Sequence, residues 1–173
     1  MNRLVRQMKK KIIVVLVLIV ILATVLAYAV INMPVSAAVF VDPEKVDTSV
    51  GQTFIVNVSV SAVSDLYGWQ LRLGWNSTIL NMLTASEGTF LKKGGQTLFN
   101  SIINETAGYM VLDCTLIGSI RGVNGSGILA TVQFQVKTDG QCDLNLHETD
   151  LIASTEQSIT HAARSGHFDS NHS

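Results

Sequence analysis

The chain has 173 residues, 47% of them hydrophobic and 14% charged, with a formal net charge of −1; this is too apolar for a disordered chain and suits one globular domain plus a greasy segment. The charges of the first eleven residues are all basic (Arg3, Arg6, Lys9, Lys10, Lys11), leaving seven Lys or Arg against thirteen Asp or Glu in the remainder, a net of −6. An acidic domain argues against nucleic acid as a partner, because phosphates demand a basic face.

Residues 12–31, IIVVLVLIVILATVLAYAVI, form an unbroken apolar run. As a helix rising ~1.5 Å per residue, such a run spans roughly 30 Å, the thickness of a bilayer's hydrocarbon core. The basic flank predicts an N-terminus that stays in the cytoplasm. The stretch that follows, NMPVSAAV, has Pro34 to break the helix and small residues, Val35 and Ala37, at the two positions a signal peptidase reads. Two readings stand for residues 1–37: a signal peptide cleaved after Ala37, or a retained transmembrane anchor with apolar core 12–31. Both place residues 38–173 outside the cytoplasm, secreted or held at the cell surface by the membrane.

From Val39 onward, period-two alternation dominates and no long helical pattern appears. Phe54, Val56, Val58 and Val60 alternate with polar positions, as do Ile128, Ala130, Val132, Phe134 and Val136. Further strands are expected at Tyr109 to Leu116, at residues 142–146, at residues 98–103 and near the C-terminus. Glycines at 51, 94, 95, 108, 125, 127 and 140 punctuate them. Many short antiparallel strands with such turns predict an all-β sandwich of jelly-roll or Greek-key type.

The strand after Leu66 carries both tryptophans. Tyr67, Trp69, Leu71, Leu73 and Trp75 share one face, and Gly68, Gln70, Arg72 and Gly74 the other. The rings travel with the leucines, so they are expected in the core, not stacked on a sugar. The opposite face is a flat polar surface that another protein can cover.

No zinc-protease helix motif, nucleophile elbow, phosphate loop or dinucleotide fingerprint occurs in the sequence. His147, His161, His167 and His172 are scattered, and acidic pairs such as Glu148 with Asp150 or Asp42 with Glu44 read as solvated surface. No catalytic residue, metal ligand or cofactor is assigned, and the chain is read as a non-enzyme. Cys114 and Cys142 both share parity with inward residues; a disulfide and two buried thiols remain open. Asn57, Asn76, Asn104, Asn124 and Asn171 open Asn-x-Ser/Thr triplets, which makes each a candidate glycosylation site in an exported chain.

VDPEKVDTSVGQTFIVNVSVSAVSDLYGWQLRLGWNSTIL, followed by GVNGSGILATVQFQVKTDGQCDLNL and the terminal ITHAARSGHF, resembles the cohesin domain. The resemblance rests on the VGQ-F-V-V start, the aromatic third strand and the GSG-I-L-A-x-x-x-F-x-V strand, and covers roughly residues 39–168. It implies a nine-stranded jelly-roll sandwich, related in fold to cellulose-binding modules, that docks a calcium-loaded dockerin on another protein. Calcium is then expected on the partner and not on this chain.

In the family the dockerin covers one flat sheet built from the third, fifth, sixth and eighth strands. Carried onto this sequence, the partner-binding positions are Gln70 and Arg72, then Tyr109, Val111, Asp113 and Thr115, then Asp143, Asn145 and His147. The same topology places the sixth and eighth strands on either side of the third, so Cys114 and Cys142 lie two spacings of about 4.8 Å apart, too far for a disulfide without bent edges. The third strand ends in GWNST, where many cohesins have an acidic residue and a proline; an N-glycan at Asn76 would crowd that end of the sheet.

The resemblance implies a docking module that recruits a dockerin-bearing protein, with polysaccharide-degrading enzymes as the cargo it would organise at the cell surface. The alternatives are a carbohydrate-binding module of the same sandwich class, with polysaccharide as its ligand, and a structural cell-surface domain.

Overall fold

The computed structural model describes residues 18–24, 28 and 36–170. Residues 18–24 and Tyr28 are helical and exposed; the remainder of the 12–31 run, Pro34, Val35, Asn171 and His172 lie outside the described residues. No helix among the described residues is long and apolar enough to cross a membrane. Ser36–Ser173 forms a compact unit of its own.

That unit is built from ten strands: β1 (Ala37–Asp42), β2 (Lys45–Asp47), β3 (Thr53–Gly74), β4 (Leu80–Glu87), β5 (Thr97–Asn104), β6 (Tyr109–Leu116), β7 (Val123–Val136), β8 (Gln141–Ala153), β9 (His161–Arg164) and β10 (Gly166–Asp169), with a single 3-10 turn at Leu91–Lys93. The expected cut after Ala37 falls at the first residue of β1, which pairs with His161.

Two runs that read as separate strands in the sequence are one. β3 continues for 22 residues because bulges after Val58, Val60 and Val63 bend it instead of ending it. Its first half pairs with β1 and β7, and its second half with β6 and β8. The first sheet is therefore β4-β7-β3-β1-β9 and the second β5-β6-β3-β8-β10-β2. All pairings are antiparallel except β1 with β9 and β2 with β10.

The bend is paired rather than left open, as backbone polar groups require. Ala62 and Asp65 take positive φ, 54° and 60°. Ser126 Oγ accepts from Ala62 N and Asn124 Oδ1 accepts from Asp65 N. The Asp65 carboxylate accepts from Gly122 N, Ser154 N and Ser154 Oγ. These hydrogen bonds, Ser154's first and Gly122's next, hold its carboxyl below the usual carboxylate range.

The strand count is ten against the nine expected: the merger in β3 removes one, while the short β2 and the division of the C-terminal stretch at Ser165 add two. β9 joins the first sheet through β1, and β10 joins the second through β8 and the short β2. Gly166 makes the division possible at close quarters, since a Cβ there would lie 2.7 Å from Val41 Cγ1.

The core lies between the sheets, as alternation demands. Val56, Val58, Val60, Val132 and Phe134 point inward from the first sheet, and Leu71, Leu73, Leu112, Leu144 and Phe168 from the second. Phe54 stacks on Phe168 at 5.2 Å and on Phe134 at 5.6 Å, while Trp75 meets Phe134 edge-on at 5.4 Å. Trp69 is 3% and Trp75 6% exposed, so both tryptophans belong to the core and neither is free to stack on a sugar. Tyr67 is half-buried, and its hydroxyl donates to Gly118 O.

Candidate functional site

The outward face of the second sheet gathers the sequence-derived positions into cross-strand rows. Residues directly opposed on neighbouring strands share a face, and the registers give four rows across β5, β6, β3 and β8. They read Leu98–Thr115–Gly68–Ile152, Asn100–Asp113–Gln70–Asp150, Ile102–Val111–Arg72–His147 and Asn104–Tyr109–Gly74–Asn145. Asp143 continues the face toward β10, where His167 Nδ1 lies 2.8 Å from its Oδ1. All nine expected positions thus lie on one surface. Gln70, Asp143 and His147 are exposed and the other six half-buried.

Arg72 ties the middle of the face together. Its Nη1 is 3.2 Å from Glu148 Oε1, and its Cζ sits 4.8 Å from the Tyr109 ring centroid. Glu148 is brought there by a bulge: Gln70 opposes Asp150 and Arg72 opposes His147, and Glu148 takes a φ of 46°. The Arg72–Glu148 pair is solvent-accessible and contributes at most ~1 kcal/mol to folding. Its effect is to hold a planar cation over an aromatic ring. Arg72 Nε is buried and has no hydrogen-bond partner among the described residues.

The face is open at both ends. At the Gly68 end is a depression of about 940 Å³, with Gly68, Gln70, Asp113 and Thr115 in its floor and residues 118–121 and 153–154 at its sides. At the Gly74 end is a smaller one of about 360 Å³, lined by Gly74, Asn76, Gly108, Asp143, Asn145 and His147. Gly108 shapes this end. Its φ is +70°, its carbonyl accepts from Trp75 N, and a Cβ on it would lie 2.3 Å from Trp75 O. Only glycine fits there.

Sequence reasoning missed the contribution of β5. Leu98 and Ile102 are 61% and 60% exposed on the same face, beside Val111, and make its β5 margin apolar. The run TLFNSIIN has aliphatic residues in both phases, so alternation alone does not say which phase is outward. Phe99 decides it by packing on Trp69 at 6.2 Å. Glu148 and Asp150, read as solvated surface, also belong to this face.

The two cysteines are free. β6 and β8 flank β3, as the family topology implies, which leaves Cys114 and Cys142 on opposite sides of an intervening strand. Burial pushes the Cys114 thiol up to about 12, helped by Glu87, and its Sγ donates to Glu87 Oε1 at 3.5 Å. Burial also raises Cys142. At Glu87 burial pushes the carboxyl up, but hydrogen bonds from Thr97, Lys92 and Cys114 outweigh it and leave it lowered.

The three described histidines do not converge. His161 is held by Ile159 O and Thr149 Oγ1, His167 by Asp143, and His147 stands exposed beside Arg72. Among the described residues no three His, Cys, Asp or Glu side chains group to hold a metal ion. The arrangement is one for covering, with a rigid floor, an apolar margin, a fixed cation and several carboxylates.

The family described as cohesin domain matches residues 39–166. None of the curated proteins matches the chain in sequence. Among solved structures, a non-cellulosomal cohesin from the archaeon Archaeoglobus fulgidus is similar, with a TM-score of 0.68 and 16% identity over 80% of this chain and 93% of that one. A type II cohesin domain from the cellulosome of Acetivibrio cellulolyticus superposes with a TM-score of 0.69 at 12% identity, over 78% and 96%. A type I cohesin–dockerin complex from Clostridium thermocellum does so with a TM-score of 0.66 at 14% identity, over 77% and 92%. With the family's pattern spanning most of its length and the sandwich matching at this level, the chain belongs to the cohesin family.

Proposed function

We propose that the protein is a non-catalytic docking module that binds a dockerin-bearing protein on the outward face of its second sheet, outside the cytoplasm. The observation that carries this reading is the four-row face itself: it joins a flat glycine-containing floor, the Arg72–Tyr109 pair and the exposed Leu98 and Ile102 on a single rigid surface. Such a combination of apolar contact area, an ordered Arg and an aromatic is what concentrates binding energy at protein interfaces. Family membership supplies the partner class, since the C. thermocellum structure pairs a cohesin with a dockerin. Calcium would reside on that partner. The basic flank and the apolar run 12–31 support an exported domain, tethered or released, and polysaccharide-degrading enzymes are the cargo such a module would position.

The buried tryptophans count against direct sugar binding by the β3 strand. The test is affinity capture: immobilise residues 36–173, pass over the producing cell's envelope and secreted proteins, and elute with a calcium chelator. Release of a protein with duplicated calcium loops is expected. Capture of polysaccharide alone, or of nothing that a chelator releases, overturns the reading.

A further inference from the structure

Five of the eight asparagines between residues 38 and 173 open Asn-x-Ser/Thr triplets. With Ser and Thr forming 27 of those 136 residues, random placement would give roughly one or two such acceptor triplets. The excess is matched by side-chain geometry at the four described sites. Asn57 Oδ1 accepts from Thr131 Oγ1, Asn76 Oδ1 from Thr78 N and Oγ1, Asn104 Oδ1 from Ala107 N, and Asn124 Oδ1 from Asp65 N and Ser64 Oγ. In each the amide oxygen is the engaged end, which leaves Nδ2, the atom that takes a sugar, uncommitted. Asn76, Asn104 and Asn124 are exposed, and Asn57 is half-buried.

Their positions divide them. Asn104 opposes Tyr109 at the β5 end of the fourth row, and Asn76 lines the depression at the Gly74 end of the same row. Asn57 points out of the first sheet between Asp42 and Thr131, and Asn124 sits beside the β3 bend.

We propose that Asn76 and Asn104 are N-glycan acceptors, and that a glycan on either closes the Tyr109–Gly74–Asn145 end of the face to its partner. The gating half rests on the docking reading above; the acceptor half does not. Attachment joins Asn Nδ2 to the anomeric carbon of an oligosaccharide carried on a lipid diphosphate. The sugar–phosphate bond breaks, the lipid diphosphate leaves with the bonding electrons, and an amide proton is released. The product is a bulky, hydrated group rooted where a partner must lie flat. A glycan at Asn57, on the other sheet, leaves the face open.

Trypsin separates the sites for measurement: Asn57, Asn76, Asn104 and Asn124 fall in peptides 46–72, 73–92, 94–121 and 122–137. Mass spectrometry of the full-length protein from its own cells is expected to show hexose-containing additions on peptides 73–92 and 94–121. Removing both triplets with Thr78→Ala and Thr106→Ala, expressed in the same cells, is expected to tighten dockerin binding tenfold or more. Asn76→Gln with Asn104→Gln serves as the second variant pair. Unmodified 73–92 and 94–121 peptides overturn the inference while leaving docking intact, as does binding unchanged by removal of glycans found there. Failure of glycan-free recombinant protein to bind any dockerin sinks docking and the gating half with it, while the peptide masses still decide the acceptor half.

Discussion

The two outer faces of the sandwich obey the same alternation and differ in what it leaves outside. The first sheet exposes amides and hydroxyls around Ile55 (Asn57, Thr131, Gln133 and Gln135), with Asp42 and an Arg164–Phe40 pair toward its β1–β9 margin. The second exposes Arg72, Asp113, Asp143, Glu148 and Asp150, with an aromatic ring under the arginine and aliphatic residues along the β5 margin. A buried inner face constrains both sheets equally. An outer face is free to be merely soluble; both carry an arginine over a ring and exposed aliphatic residues, and the second is set apart by Glu148 holding its arginine in the middle of the sheet among Asp113, Asp143 and Asp150, a charge pattern that suits a partner.

The largest expected effect breaks this comparison at its centre. Arg72→Glu combined with Asp113→Arg is expected to weaken partner binding ~100-fold in calorimetric titration, an interface hot-spot loss of nearly 3 kcal/mol. Thr131→Lys combined with Gln133→Lys, on the first face, is expected to leave the affinity within about twofold. Equal losses from both pairs would erase the distinction between the faces.

Ile102→Asp tests the apolar margin. Because the side chain is 60% exposed, stability is expected to hold within ~0.5 kcal/mol while affinity falls ~10-fold. A fall in thermal stability without a change in affinity would place Ile102 in the fold rather than the interface.

Gly108→Ala acts through the backbone at the Gly74 end. An alanine at a φ of +70° costs about 1–2 kcal/mol, and the overlap with Trp75 O adds to it. Urea unfolding is expected to show a lowered midpoint with an unchanged slope.

Titration supplies the smallest effects. The Cys114 thiol is held up to about 12 against an ordinary value of 9.0, so the folded chain keeps its proton where the unfolded chain loses it. Its contribution to stability is present below pH 9 and lost as pH rises from there toward 12. Cys114→Ala is expected to flatten that alkaline loss. Asp65 has the opposite sign: its folded carboxyl is lowered from 3.8, so its contribution stands at neutral pH and disappears as acid protonates it. Asp65→Asn is expected to weaken the acid dependence of unfolding. Mass spectrometry without reductant is expected to find both cysteines as thiols, and a Cys114–Cys142 bridge would contradict the strand order.

Parity in the sequence carried most of this. β6 coincides with the expected Tyr109–Leu116, and the inward placement of Trp69 and Trp75 follows from the leucines they alternate with. Three features were hidden for physical reasons. The continuity of β3 depends on positive-φ residues, Ala62 and Asp65, that are not glycine. The outward phase of β5 depends on a contact between Phe99 and Trp69, residues far apart in sequence that lie on strands joined only through β6. Glu148 reaches Arg72 through a bulge in β8 that no motif marks. Local alternation finds strands and faces; long-range pairing decides which outward residues become neighbours.

Hydroxyl-radical footprinting of the domain alone and with its captured partner compares the two faces in one experiment, because each carries exposed aliphatic reporters. Leu98, Ile102 and Tyr109 are expected to lose reactivity on binding while Ile55 and Leu83 keep theirs. Protection of Ile55 and Leu83, with Leu98 and Ile102 still reactive, would contradict docking on the second sheet.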